Sequence, residues 1–171
     1  PDDAVAERRG VRGERRHRHG DAGFGVLDTV PPELGSVKLR QVNYVVVAPM
    51  AFASALGPAG WRDIAALPWV SPPSRSHVRL IQNAMFANQG VLPNIVVECD
   101  QLSAIEGMVR SGLGLALMRE EVATSMAAGG EYFIWPHVSL SSQMVFVYRV
   151  GDESSPATIG MISVLRKCWE T

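Results

Sequence analysis

Residues 98–118, ECDQLSAIEGMVRSGLGLALM, decide the fold, because the two glycines near their end admit two opposite readings. A phosphate-binding turn places glycines between a strand and the first turn of a helix. Here the apolar positions Leu102, Ile105, Met108 and Val109 follow helical spacing ahead of Gly112, and the run LGLALM behind it reads as a strand. The order is helix, glycine, strand. Gly112 is therefore expected to stop a helix in the left-handed conformation and Gly114 to permit close backbone packing. Ser103 and Glu106 have capping-box spacing at the front of that helix.

Working outward, strand and helix signals alternate. NIVVEC (94–99) precedes the central segment as a strand, and a helix from Ser74 to about Gln89 precedes that, with Val78, Ile81, Met85 and Phe86 on one side and Gly90 closing it. LPWVS (67–71) is a strand that Pro72 and Pro73 must end, since proline cannot donate to a ladder. WRDIAAL (61–67) is a short helix, VNYVVVA (42–48) a buried strand and DAGFGVL a strand leading to a Pro-Pro loop. Downstream, REEVATSMAAGG carries acids at a helix start and glycines at its end, and QMVFVYRV (143–150) is a strand. A last helix opens at Ser155-Pro156, with Ile159, Ile162, Leu165 and Trp169 along one side and Arg166 and Lys167 in its final turn. Repeated strand-helix units imply a mostly parallel sheet covered by helices, an α/β class.

Composition narrows the function. The 171 residues are 47% hydrophobic with a formal net charge of -1, which suits a globular protein. Residues 1–20 hold six of the arginines against four acids and lack apolar periodicity, so they are expected to form a disordered basic tail. The remainder, with 10 basic and 13 acidic residues, does not have the charge of a nucleic-acid-binding surface. Cys99 and Cys168 show neither metal-ligand spacing nor a disulfide pattern, and no apolar leader or membrane span is read, so a cytoplasmic location is expected. No G-x-S-x-G, H-E-x-x-H or phosphate-loop motif occurs, and the histidines lack partners at ligand spacing; no catalytic residue, cofactor or metal is expected.

What remains is geometric. In open α/β sheets, ligands bind beyond the carboxyl ends of strands, where helix amides are unpaired. If strands 67–71 and 94–98 are parallel neighbours, Ser71, Pro72, Pro73, Ser74, Arg75 and Ser76 share one crevice with Asp100, Gln101 and Leu102. Hydroxyls, amides and a guanidinium suit a carboxylate or another small anion. Helix capping and loop solvation account for the same serines equally well.

From Asp21 onward the chain resembles the effector-binding part of LysR-type transcriptional regulators. The resemblance rests on DAGFGVLD, on VKLRQVNYVVVAPM, on WRDIAALPWV with its following Ser/Pro turn and helix, and on VVECDQLSAIEGMVRSGLGLALM with its V-x-x-G-x-G ending. It implies a fold like type II periplasmic binding proteins: two α/β subdomains joined by two crossing strands, here near Tyr44–Pro49 and Val145–Arg149, with a small-molecule effector in the cleft. Residues 50–145 would form the second subdomain. Residues 21–49 and 146–171 would supply the crossing strands and a first subdomain that is incomplete, truncated at its N-terminus. The resemblance also implies a non-enzymatic sensor of a carboxylate-like effector, assembling as a homodimer or tetramer and reaching DNA only through an N-terminal winged helix absent from this chain. A solute-binding protein of similar fold serving transport is the alternative, and a small α/β enzyme the weakest.

Overall fold

Residues 22–26 and 30–169 are described in the computed structural model, so the expected tail at residues 1–20 lies outside them. In chain order the elements are β1 (Ala22–Val26), β2 (Leu34–Pro49), a 3-10 turn (Met50–Phe52), α1 (Ala53–Leu56), α2 (Trp61–Ala66), β3 (Pro68–Ser71), α3 (His77–Ala87), β4 (Asn94–Glu98), α4 (Leu102–Arg110), β5 (Ala116–Arg119), α5 (Glu120–Ala127), β6 (Tyr132–Arg149) and α6 (Pro156–Trp169).

The dominant feature is an antiparallel ribbon. β2 and β6 pair from Leu34 opposite Arg149 to Pro49 opposite Tyr132, with register shifts at Lys38/Arg40 and Tyr44/Val46. Both strands run further than the apolar cores at 42–48 and 143–150, because each supplies the other's backbone partners, β2 along the mixed polar run 34–41 and β6 along 132–142, where Pro136 and His137 interrupt an apolar run. β1 joins β6 and β5 joins β2, giving the order β1-β6-β2-β5, antiparallel throughout. The expectation of a mostly parallel sheet is thus corrected. Parallel pairing occurs where a strand is followed directly by a helix: β3 beside β4, and β3 beside the residue that leads into β5.

That last contact joins the two sheets. Leu115 donates its N–H to the Pro68 carbonyl, and Val70 donates to the Leu115 carbonyl, both at 2.8 Å. The strands β4, β3 and β5 therefore form one layer that ends on the ribbon. Alternate side chains enter two cores. On one face Tyr44, Val46, Trp69 and Leu117 pack with Ile64 of α2 and Met85 and Phe86 of α3. On the other, Val45, Val47, Val70 and Met118 meet Ile105 and Val109 of α4 and Ala123 of α5. Trp69 is fully buried, its indole N–H donates to the Ile64 carbonyl at 2.9 Å, and its ring meets Phe86 edge-on at 5.1 Å. This satisfies the one polar atom of a large apolar group.

Gly112 has φ 85° and ends α4, as its position after the last apolar repeat requires. Gly114 matters through sterics: a Cβ there would collide with the Pro68 carbonyl oxygen and lie 2.8 Å from the carbonyl carbon, inside the junction of the sheets. Three local expectations change. The N-cap of α3 is Ser76, whose hydroxyl accepts from Arg79 N at 3.2 Å, and Ser74 sits in the preceding turn. α4 starts two residues early, with Gln101 as N-cap and its carbonyl bonded to Ala104 N and Ile105 N; Ser103 is already helical, so the capping box does not form. In α6 Ile162, Leu165 and Trp169 lie on the covered side as expected, but Thr158 is buried there in place of Ile159, which is 55% exposed.

Gly114→Ala is expected to destabilise by about 1–3 kcal/mol through overpacking, seen as a lower urea midpoint. Gly107→Ala in α4, where nothing lies within 4 Å of the added methyl, is expected to stabilise by up to about 1 kcal/mol. Gln82 of α3 is fully buried and its amide has no partner among the described residues. Gln82→Met is expected to raise the thermal midpoint, since it removes a desolvated amide at nearly constant volume.

Candidate functional site

The site follows from the parallel pairing of β3 and β4. Ser71 lies opposite Glu98, and Cys99 N extends the pairing by bonding to the Ser71 carbonyl at 2.9 Å, so the two turns that follow leave the same edge. β5 runs in the same direction, and its end at Arg119 reaches that edge too. Three helices begin there.

Between those starts lies a cavity of about 410 Å³. Pro72, Ser76, His77 and Val78 line it from the β3–α3 side, and Asp100, Leu102 and Ile105 from the β4–α4 side. Leu117, Met118, Arg119 and Val122 contribute from β5 and α5, and Tyr44 closes it from the ribbon. The lining is mostly apolar with a few polar groups, the usual make-up of a small-molecule site.

The walls are held from outside the cavity. Arg79 of α3 donates to the Pro72 carbonyl at 2.9 Å and to Glu98 Oε1 at 3.0 Å, tying the first turn to the end of β4, and its Nε reaches Asn83 at 3.2 Å. Its side chain is only 12% exposed whereas that of Glu98 is 51% exposed, so water competes weakly for the bond to Pro72 and more strongly for the one to Glu98. A 3.2 Å hydrogen bond between His77 Nε2 and Ser142 Oγ fastens the start of α3 to β6. On the α5 side, Asn43 donates to Glu120 at 2.9 Å and Arg40 pairs with Glu121 at 2.8 Å, anchoring the helix start to β2.

Of the residues expected from sequence, Pro72, Ser76, Asp100 and Leu102 line the cavity together. Ser71 is fully buried, and its hydroxyl has no partner among the described residues. Pro73, Ser74, Arg75 and Gln101 are not part of the wall. The turn closed by Ser76 N to the Pro73 carbonyl at 2.8 Å carries Ser74 and Arg75 as exposed residues ahead of the helix. Sequence reasoning does not reach Tyr44, His77 and Arg119. Arg119 carries a usable signal, since the rule applied to the ends of β3 and β4 applies equally to the third parallel strand, whereas Tyr44 is hidden inside a strand run.

The LysR substrate binding domain sequence model matches residues 7–169. No curated protein sequence matches the chain. Among solved structures, the regulatory domain of CcmR from Synechocystis PCC6803 in complex with 2-PG aligns with a TM-score of 0.74 at 16% identity, covering 88% of this chain and 74% of that one. The effector binding domain of QuiR in complex with shikimate aligns with a TM-score of 0.71 at 16% identity, over 88% and 72% of the two chains. The regulatory domain of MetR, a LysR family regulator from N. meningitidis, gives 0.71 at 13% identity over 86% and 69%.

Arg79→Met is expected to lower stability by about 1–3 kcal/mol, because it leaves the Pro72 carbonyl and Glu98 without their charged donor. Chemical denaturation measures it, and a change below about 0.5 kcal/mol would show that Arg79 is only a solvated surface charge.

Proposed function

The chain belongs to the LysR substrate-binding domain family, and on that premise we propose that it senses a small carboxylate-bearing effector in the cavity ringed by the starts of α3, α4 and α5. The family consists of regulatory, effector-binding domains and not of enzymes. The observation that carries the reading is the convergence of three parallel strand ends on one partly open cavity with mostly apolar walls. Pro72, Ser76, Asp100 and Leu102, with Tyr44, His77 and Arg119, are the proposed contact residues. The structural neighbours hold 2-PG and shikimate in their own complexes, which supports a small polar acid as the class of ligand.

In this reading residues 50–145 form one subdomain, residues 21–49 and 146–171 belong to the other, and β2 and β6 are the strands that cross between them. The signal goes to DNA through a winged helix outside this chain, in a cytoplasmic homodimer or tetramer. Occupancy changes transcription only if the effector binds two arrangements of the assembly unequally. Among the described residues no helix is long and apolar enough to cross a membrane.

A thermal-shift screen of this chain against small organic acids, phosphate esters and dicarboxylates tests the reading. A true effector at 100 times its Kd stabilises by about 2.7 kcal/mol, a rise of roughly 5–10 °C for a chain of this size. Leu102→Trp, which places an indole into the cavity from a half-exposed helix position, is expected to fold normally and to lose that rise. An equal rise in the variant would place binding elsewhere.

A further inference from the structure

Two of the residues lining the cavity carry full charge, and they are of opposite sign: Asp100 in the turn before α4, and Arg119 at the N-cap of α5. No hydrogen bond or ion pair to a described residue engages either one, and no salt bridge joins them to each other. The acids nearest to Arg119 in sequence do not neutralise it, because Glu120 accepts from Asn43 and Glu121 pairs with Arg40. The Glu98 carboxylate, close to Asp100 in the chain, is likewise taken by Arg79. Val78, Ile105, Leu117, Met118 and Val122 supply apolar wall to the same cavity.

From this pattern we infer that the cavity selects a zwitterion with an apolar body, the class to which aliphatic and aromatic α-amino acids belong. The carboxylate faces Arg119, the ammonium faces Asp100, and the side chain lies on the apolar wall. A dianion such as a dicarboxylate or phosphate ester brings a second negative charge toward Asp100, and a simple amine brings its positive charge into a space shared with Arg119. Opposed charges at a rim exclude competitors as much as they attract the right ligand. The inference rests on the effector reading above and narrows it.

The test is calorimetry on this chain at low ionic strength with three sets of probes. L-leucine and L-phenylalanine are compared with 4-methylpentanoate and 3-phenylpropanoate, which lack the ammonium, and with 3-methylbutylamine and 2-phenylethylamine, which lack the carboxylate. The amino acids are expected to bind at least about tenfold more tightly than either counterpart, the scale of one charge-assisted contact. Asp100→Asn is expected to remove the advantage over the acids, and Arg119→Gln the advantage over the amines. Both residues are exposed, so unchanged melting of the unliganded variants separates recognition from folding. If the acids lacking an ammonium bind wild type as tightly as the amino acids do, the zwitterion assignment is overturned while the carboxylate-sensor reading stands. The assignment is equally overturned, and the sensor reading again stands, if none of the six probes binds but another acid of the wider screen does. If nothing in either set binds, both fail.

Discussion

The junction of β3 with the residue ahead of β5 is the constraint on which the rest of the molecule depends. Two backbone hydrogen bonds at Leu115, one to Pro68 and one from Val70, connect a parallel pair to an antiparallel ribbon. They form because Gly114 presents no side chain to the Pro68 carbonyl. Without that contact the carboxyl ends of β3 and β4 would have no third neighbour, and the starts of α3 and α4 would face solvent instead of α5. Both cores also close across this line, since Trp69 and Val70 face opposite sides of it and belong to different clusters.

Much of this is legible in the sequence, and the reasons are specific. The helix-glycine-strand order around Gly112 separates the fold from a dinucleotide-binding one, and every strand and helix with a strong periodic signal is present. The ribbon is only half visible. Its outer halves, such as Leu34–Gln41, mix charged, small and apolar residues, and what makes them strands is pairing with a partner more than a hundred residues away. Helix starts differ by two residues at both α3 and α4 because tertiary packing of Met85, Phe86, Ile105 and Val109 sets the phase of each helix, and the nearest eligible cap then serves.

The candidate site divides along the same line. Turn residues are readable from strand-end chemistry, so Pro72, Ser76, Asp100 and Leu102 emerge from pattern alone. Apolar wall residues such as Ile105 and Leu117 are indistinguishable in sequence from core residues, because the same side chains cover the sheet and line the space above it. The bonds that stiffen the wall are also invisible in sequence: Arg79 spans from α3 to β4, and Asn43 and Arg40 reach α5 from β2. The first links consecutive elements and the other two join segments about eighty residues apart. Away from the cavity, Arg110 at the end of α4 is held by Tyr132 and Glu131, which raise its pKa above the ordinary guanidinium value.

Tyr44 occupies a particular place in the ribbon: it touches the cavity, and the pairing of β2 with β6 slips beside it, between Tyr44 and Val46. It is one of two slips in the β2–β6 ladder, the other lying at Lys38/Arg40, and irregularities of this kind increase local twist. The ribbon continues past the Tyr44 slip to Leu34 and Arg149, where β1 is attached. A rotation of a few degrees at that slip would grow with distance into a lateral swing of the far end, so the cavity beside Tyr44 lies where the smallest change in strand geometry would be felt at the greatest reach.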